Sequence, residues 1–260
     1  MTEGIHISKH DRIQIIRLHR PEKKNALTTA MYGGITAAFN DGDADPDVAV
    51  HVILGAKGAF CAGNDIADFL SFAQGGGLPM QTTLAFLTKL ATLEKPIIAG
   101  VDGVAVGVGV TMLMHCDLVY ASPDSFFSTP FLDLGLVPEA ASSLLMPRTF
   151  GYQRAFEMLV LGEPFAAHRA RDCGLVNAIE PADILDAKTL EAAARLAQKP
   201  PEALKLARRL LRGDTAETLA RINEEAALFS KRLGSPEAAE AFKAFLEKRP
   251  PDFSKAQVGG

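Results

Sequence analysis

The order of strand-like and helical segments constrains the fold of this 260-residue chain more than any other feature. Short apolar runs such as VAVHVILGA alternate with segments of helical spacing up to about residue 200. The run GIHISKHDRIQIIRLHRP has a polar turn at residues 9–11 and predicts a β-hairpin that ends at Arg20-Pro21. Strands that alternate with helices in this way are typical of an α/β protein with a mostly parallel sheet.

Beyond Pro200 the sequence carries helical patterns and no strand signal. The spacing predicts helices over 201–212, 214–233 and 236–247. The Pro200-Pro201 step marks the joint. We therefore predict an α/β core at residues 1–200 and a C-terminal α-helical region at residues 201–260, to which the family resemblance described below assigns the ligand site and oligomerisation, respectively.

The composition excludes several classes of protein. With 48% hydrophobic and 22% charged residues and a net charge of -4, the chain gives no electrostatic reason to bind nucleic acid or an anionic membrane. Its cysteines, Cys61, Cys116 and Cys173, are far apart, and the histidines have no metal-ligand spacing. The N-terminus lacks a signal-peptide pattern, and no apolar run is long enough to cross a bilayer. We predict a cytoplasmic protein with reduced thiols and no metal.

Two glycine-bearing turns are candidate sites for an anionic oxygen. GAKGAFCAGNDIADF follows a buried strand, and VGVGVTMLMHC opens a helix after another strand. Glycines there let backbone N–H groups face a ligand, which suits an anion or a developing oxyanion. Met112 stands where a dinucleotide fingerprint needs its third glycine. The structural alternatives are an ordinary strand-to-helix connection and close helix packing.

An isolated acid, Glu139, lies in the apolar stretch STPFLDLGLVPEAASSLL. Because it follows Pro138, one interpretation places it in the first turn of a helix, where an acid complements the helix dipole. The other makes it a base that faces a ligand pocket. Apolar neighbours such as Leu136 and Leu144 would raise its pKa, whereas a helix start would lower it. The adjacent residues of His115-Cys116-Asp117 point in different directions, so they predict no catalytic triad.

Six motifs in a fixed order connect these features. They are LHRPEKKNAL, GAFCAGNDI, KPIIAGVDGVAVGVGV, CDLVYAS, LGLVPEAASS and FLEKRPPDF. Over nearly the whole chain this order resembles the crotonase (enoyl-CoA hydratase/isomerase) superfamily. The blocks CAGND and TPF-x-x-LG-x-x-PE-x-x-SS are most similar to the peroxisomal-type delta-3,delta-2-enoyl-CoA isomerases.

The resemblance implies a fold and a site. The fold would be a spiral of ββα units with a C-terminal helical region that packs in homotrimers, often paired to hexamers. The ligand would be an acyl-CoA thioester, with no cofactor besides the coenzyme A of the substrate. Backbone N–H groups of Asn64 and Val108 would form the oxyanion hole, and Glu139 would be the catalytic base. Thr111 and Phe131 stand where hydratases of this superfamily carry two water-activating glutamates.

The resemblance also implies a set of substrate-binding residues: Lys24, Ala26, Leu27, Ala62, Gly63, Asp65, Ile66, Phe69, Gly107, Thr111 and Phe131. Arg20 and Lys23 belong to the loop that holds the nucleotide in family members. Lys248 and Arg249 would reach the coenzyme A phosphates of a neighbouring subunit. The acyl chain would lie near Phe69, the 73–79 loop and Phe131.

The function that the resemblance implies is the isomerisation of 3-enoyl-CoA to 2-trans-enoyl-CoA in fatty acid β-oxidation. A single glutamate would transfer the proton from C2 to C4. Two alternatives stay open at the level of sequence. One is another crotonase reaction, either hydration of an enoyl-CoA or thioester hydrolysis. The other is a non-catalytic relative that binds coenzyme A or RNA.

Overall fold

The computed structural model of the protein describes residues 2–65 and 80–255. Within these residues two sheets form, and one is much larger than the other. Strands β1, β2, β3, β5, β7 and β10 build the larger sheet in that order, and β4, β6, β8 and β9 build the smaller one. The strands are β1 Ile5–His10, β2 Ile13–Leu18, β3 Val50–Leu54, β4 Ala59–Cys61, β5 Ile97–Val101, β6 Val104–Val106, β7 Leu118–Ala121, β8 Phe126–Ser128, β9 Phe165–Ala166 and β10 Ala178–Ile179.

The α-helices of the described residues follow the strands in the order that the sequence predicts. They are α1 Thr29–Ala44, α2 Met80–Thr92, α3 Val108–Thr111, α4 Ser142–Phe150, α5 Tyr152–Leu159, α6 Ala167–Asp172, α7 Leu185–Ala197, α8 Pro201–Arg212, α9 Thr215–Leu233 and α10 Pro236–Leu246. Short 3₁₀ turns lie at Pro21–Lys23, Met112–His115, Leu132–Leu134 and Phe253–Lys255. None of the helices in residues 2–65 and 80–255 combines the length and the apolar character that a bilayer crossing requires.

The larger sheet is buried on both faces, which explains its continuous apolar strands. After the antiparallel β1–β2 hairpin, strands β2, β3, β5, β7 and β10 pair in parallel. Every residue of β3 and β5 is buried. On one face of the sheet, side chains of α7 such as Ala193 pack against Val52 of β3 and Ile98 of β5. Helices α1 and α2 belong to the main core. Parallel sheets need this cover on both sides.

The smaller sheet brings together the turns that carry the candidate site. Strands β4, β6 and β8 pair in parallel, so their carboxyl ends meet at one edge. The strand predicted over PIIAGVDGVA is broken into β5 and β6 at Asp102-Gly103. Gly103 has φ +74°, and a Cβ there would lie 2.0 Å from the Gly58 carbonyl oxygen. The break therefore lets the chain leave the larger sheet and enter the smaller one.

The predicted C-terminal helices are confirmed to within a residue at each end, as α8, α9 and α10. The prediction for residues beyond Pro138 is wrong in one respect. Helix α4 begins at Ser142, so Pro138 and Glu139 lie outside it. Strands β4 and β9, of three and two residues, were not predicted because such short runs carry too little periodicity. The division at Pro200-Pro201 stays a prediction.

Candidate active site

The carboxyl edge of the smaller sheet collects three of the predicted site residues. Asn64 follows β4, Val108 follows β6 and Phe131 follows β8. Because these strands are parallel neighbours, the segments after them emerge side by side. The carboxyl edge of parallel strands is a common place for ligand sites in α/β proteins.

Two glycines let these segments touch. Gly63 has φ +93° and Gly107 has φ +55°. A Cβ on Gly63 would lie 3.1 Å from the Val106 carbonyl oxygen, and one on Gly107 would lie 3.9 Å from the Gly63 Cα. A side chain at either position would therefore strain the backbone, and one at Gly63 would also crowd the Val106 carbonyl group.

The N–H groups directly after these glycines are the predicted oxyanion donors. Val108 is the first residue of α3, so its N–H has no acceptor within that helix. In the described part of the chain, neither this N–H nor that of Asn64 donates to another backbone group. Val108 is fully buried, and Gly107 just before it lines an open groove. Two neighbouring free donors of this kind suit a developing oxyanion.

A mainly apolar cavity, somewhat more enclosed than the neighbouring groove and called the enclosed cavity below, lies next to this edge. Its described walls include Leu27, Leu84, Leu87, Ile222 and Phe229, and Glu139 and Asn64 reach it as well. Among the described lining residues, Glu139 is the only carboxylate. The described walls of the cavity therefore offer a single acid to any ligand that enters between them.

The local backbone places Glu139 before α4 instead of inside it. Ala140 has φ +60° and Ala141 has φ +57°, a left-handed conformation that non-glycine residues rarely adopt. This turn separates Glu139 from the helix start at Ser142. The interpretation of Glu139 as an acid in the first turn of a helix is therefore wrong.

The electrostatics of Glu139 favour a protonated carboxyl at neutral pH. Only 5% of the residue is exposed, and its Oε1 has no hydrogen-bond partner among the described residues. Burial raises the pKa of Glu139 to about 8, and the nearby Glu225 charge adds to this effect. A carboxyl group with such a pKa can both accept and return a proton near neutral pH.

His115 supports the turn that carries Glu139. Its Nε2 lies 2.8 Å from the Ala140 carbonyl oxygen. Burial lowers the pKa of His115 to about 4, so the ring is neutral and its Nε2–H donates to this oxygen. The neighbouring Cys116 is no nucleophile, because burial raises its pKa to about 12. Sequence reasoning correctly gave the His115-Cys116-Asp117 run a structural role.

Tyr32 is a site residue that the sequence did not indicate. It lines the enclosed cavity, and its hydroxyl donates a hydrogen bond to Asn64 Oδ1. The aromatic ring also packs against Phe86, with 5.1 Å between ring centroids. Tyr32 therefore holds the side chain of Asn64, whose N–H is one of the predicted oxyanion donors.

A larger groove, of about 660 Å³, shares Asn64 with the enclosed cavity. The predicted residues that line it are Ala26, Ala62, Gly63, Asp65, Gly107 and Phe131, and Lys23 and Arg249 lie there as well. Leu27 lines the enclosed cavity instead. Lys24 lines neither space, but its carbonyl oxygen accepts a hydrogen bond of 2.9 Å from the Ala62 N–H.

Some predicted residues have other contacts or lie elsewhere. Arg20 donates to Asp65 at 2.5 Å and to the Ala26 carbonyl oxygen at 3.1 Å, so it ties the 20–27 loop to the site.

Thr111 is fully buried outside both lined spaces, with no partner for its Oγ1 among the described residues. Arg249 pairs with Glu240 and Glu247. Ile66, Phe69 and the 73–79 loop lie outside the described residues.

Helix α9 forms one wall of the enclosed cavity, although sequence analysis placed this helix in the oligomerisation region. Ile222, Ala226 and Phe229 line the enclosed cavity, and Phe229 also reaches the groove. Their spacing of four and then three residues places them on one helical face. That spacing was the available signal, but it does not distinguish a cavity wall from a face that packs on another subunit.

The fold and the site together define a class of protein. A mostly parallel α/β core followed by C-terminal helices is the fold that the sequence resemblance implies for a crotonase. The family model described as "Enoyl-CoA hydratase/isomerase" matches residues 8–256. The chain therefore belongs to the enoyl-CoA hydratase/isomerase family, whose members are enzymes that bind acyl-CoA thioesters.

Relatives with different names have similar levels of identity. The chain is 33% identical to enoyl-CoA delta isomerase 2 of Rattus norvegicus over 96% of its own length and 65% of that protein. It is 31% identical to 2,3-dehydroadipyl-CoA hydratase of Escherichia coli, over 97% of this chain and 99% of that protein. An enoyl-CoA hydratase/isomerase structure from Pseudoalteromonas atlantica superposes with a TM-score of 0.91 at 36% identity, covering 96% of this chain and 100% of the other.

Proposed function

We propose that the protein is a delta-3,delta-2-enoyl-CoA isomerase, which converts 3-enoyl-CoA to 2-trans-enoyl-CoA. One observation carries the proposal. Glu139 is the only carboxylate among the described residues that line the enclosed cavity. Thr111 and Phe131 occupy the positions at which the resemblance places the two glutamates of a hydratase. A hydratase of that type needs both acids to activate water, whereas an isomerase needs one group that moves a proton.

The proposed reaction uses the two spaces that meet at Asn64. The thioester lies at the groove, where its oxygen accepts hydrogen bonds from the Asn64 and Val108 N–H groups. The Glu139 carboxylate takes a proton from C2, and the electrons form a dienolate whose oxyanion these donors stabilise. The Glu139 carboxylic acid then returns the proton to C4, which leaves the double bond between C2 and C3. The only coenzyme in this scheme is the coenzyme A of the substrate.

The apolar walls contribute to this reaction in two ways. Leu27, Leu84 and Phe229 keep the carboxyl group out of water, which raises its affinity for a proton. They also limit the access of water to the dienolate, and this disfavours hydration as a side reaction.

The replacement Glu139→Gln tests this role. The amide keeps the size of the side chain but cannot accept the C2 proton. We expect kcat for conjugation of 3-enoyl-CoA to fall by roughly 10²- to 10⁴-fold, the usual contribution of a positioned acid/base group. Binding of acyl-CoA should persist, as measured by calorimetry. Glu163→Gln, at an exposed position outside both lined spaces, is the control. Isomerisation at the wild-type rate by Glu139→Gln would exclude the proposed mechanism.

The same preparation separates isomerisation from hydration. We expect 2-trans-enoyl-CoA in ¹⁸O-labelled water to give little labelled 3-hydroxyacyl-CoA, followed by mass spectrometry. The 3-enoyl-CoA thioesters of several chain lengths should instead be converted to the conjugated product. Efficient formation of the hydroxyacyl product would identify a hydratase and reject the isomerase.

A further inference from the structure

The turn that carries Glu139 needs an external support. Ala140 and Ala141 are consecutive non-glycine residues in the left-handed region. Such conformations cost of order 1–3 kcal/mol each and persist only where surrounding groups hold them. His115 holds one carbonyl oxygen of the turn, at Ala140.

The N–H groups on the other side of the turn are held by a buried acid, Glu225 of α9. Its Oε2 accepts a hydrogen bond of 2.5 Å from the Ala141 N–H. Its Oε1 accepts hydrogen bonds from the Ser143 N–H at 3.0 Å and from the Ser143 hydroxyl at 2.5 Å. Only 4% of Glu225 is exposed. A carboxylate with three donors is a strong and directional restraint on the backbone between them.

Glu225 has the partners that a buried carboxylate requires. The pKa of Glu225 is raised overall, because burial outweighs the lowering effect of the bonds from Ser143 and Ala141 and of the nearby Arg221 charge. Arg221 donates to the Ser143 hydroxyl at 3.0 Å and also pairs with Glu224 at 3.1 Å. These donors favour the ionised form of Glu225 over that of Glu139, whose Oε1 has no donor in the described residues.

The other titratable groups near this pair come from three elements. Cys61 of β4 is influenced by the Glu139 charge, and burial raises its pKa to about 12. His115 of the 112–115 turn is neutral and bonded to Ala140. Arg221 and Glu224 belong to α9, as Glu225 does. Of this set, Glu225 is the group whose charge raises the pKa of Glu139.

We propose that Glu225 is a positioning residue for Glu139, because its carboxylate holds the left-handed turn at 140–141 and thereby fixes where the Glu139 carboxyl group lies in the cavity. The kinetic part of this proposal rests on the proposed function. It adds a second effect of the same contact, which is that the Glu225 charge opposes ionisation of Glu139. Helix α9 is then part of the catalytic unit as well as of the C-terminal region.

Glu225→Gln is the first test. The amide keeps one oxygen for Ser143 but presents an NH₂ group to the Ala141 N–H, where two donors repel each other. We expect kcat for 3-enoyl-CoA to fall by roughly tenfold or more with little change in KM, since the base is misplaced while the binding groove is unaltered. The acidic limb of the pH profile should also move to lower pH, because a negative charge has been removed. Glu224→Gln, the neighbouring but exposed acid, should change neither.

A second readout does not depend on any activity. With ¹³C-labelled glutamate carboxyl groups, the Glu139 resonance is identified by its loss in Glu139→Gln. Its titration should have a midpoint near 8 in the wild type and a lower one in Glu225→Gln. If the wild type fails to isomerise 3-enoyl-CoA but Glu139 titrates as described, the proposed function fails and the charge effect of Glu225 is supported.

Two further variants separate the charge of Glu225 from its hydrogen bonds and allow a test even if Glu225→Gln does not fold. Glu225→Asp retains the charge but is too short for all three bonds, so it should lose kcat while the Glu139 titration changes less. Ser143→Ala removes one of the donors and replaces Glu225→Gln if that variant does not fold. An unchanged kcat together with an unchanged Glu139 titration, in a folded Glu225→Gln or in Ser143→Ala, would overturn the positioning role.

Discussion

The raised pKa that suits Glu139 to its proposed chemistry also lowers the stability of the fold as the pH rises. Its pKa is raised from an ordinary value of 4.5 to about 8, with burial as the main cause. Between these values the folded protein holds a proton that the unfolded chain releases. The free energy of unfolding therefore decreases as pH rises through this window, by about 1.4 kcal/mol for each pH unit.

Glu139→Gln should remove this pH-dependent loss. We expect the variant and the wild type to be of similar stability at pH 5, because both side chains are then uncharged in the folded state. The variant should become progressively more stable than the wild type toward pH 9. Urea unfolding at several pH values measures the difference. A difference that stays constant with pH would mean that Glu139 is not the buried acid described here.

Tyr32 is a second single residue with a testable role, because its hydroxyl donates a hydrogen bond to Asn64. Replacement by phenylalanine keeps the ring contact with Phe86 and removes the donor to Asn64 Oδ1. The loss of one neutral hydrogen bond is worth about 0.5–1.5 kcal/mol, so we expect kcat to fall by about two- to tenfold. Tyr152→Phe, an exposed tyrosine outside both lined spaces, is the matched control. Equal kcat values for the wild type and Tyr32→Phe would show that Asn64 is held by its backbone alone.

At the scale of elements, Asp117 joins α8 to the larger sheet. Its Oδ2 accepts from the Ile97 N–H at 2.9 Å and from Arg208 Nε at 2.8 Å, and its Oδ1 accepts from Arg212 Nε at 3.2 Å. Arg208 is buried, so its positive charge needs the compensating negative charge of Asp117. Removal of one member of a buried ion pair typically costs 3–5 kcal/mol because it leaves an uncompensated charge.

We expect Asp117→Ala to lower the free energy of unfolding by about this amount, as measured by urea denaturation. Asp186→Ala breaks an ion pair with Arg17 whose side chains are much more exposed. It should therefore cost about 1 kcal/mol or less. Equal losses in the two variants would contradict the anchoring role of Asp117.

The elements also show where sequence reasoning succeeds. Helices α8, α9 and α10 are long, and their starts carry clear signals at Pro201, Asp214 and Ser235. The start of α4 was missed because a proline followed by an acid is a common helix-start pattern. The left-handed turn at 140–141 is instead stabilised by Glu225 and His115, which are distant in sequence. Local pattern contains no information about such partners.

Some residues of the candidate site could be predicted from the sequence, and others could not. Asn64 and Gly107 were predicted because the motifs around them resemble a family, and the parallel sheet brings these segments together. Tyr32, Phe229 and Glu225 were missed. Each reaches the site from a helix whose apolar spacing is equally suited to ordinary core packing. Their roles depend on tertiary contacts that a single sequence does not record.

At the scale of the whole molecule, α8 carries apolar side chains that the described part of the chain does not cover. Leu210 is 79% exposed and Leu211 is 89% exposed, and Leu206 lies one turn before Leu210. Adjacent exposed leucines of this kind mark an interaction surface more often than isolated ones do. Resemblance to the crotonases implies a homotrimer or a hexamer built through this C-terminal region.

We therefore expect the wild type to be a trimer or hexamer by light scattering after size exclusion, and Leu210→Asp with Leu211→Asp to shift it toward monomer. A charge buried without a partner in a subunit contact would destabilise that contact. The same replacement at Leu161, also exposed but outside α8, is the comparison. If Leu161→Asp breaks the assembly and the α8 variant does not, subunits meet through another face. If the wild type is itself monomeric, the exposed leucines of α8 have some other partner and the oligomerisation region is wrongly assigned.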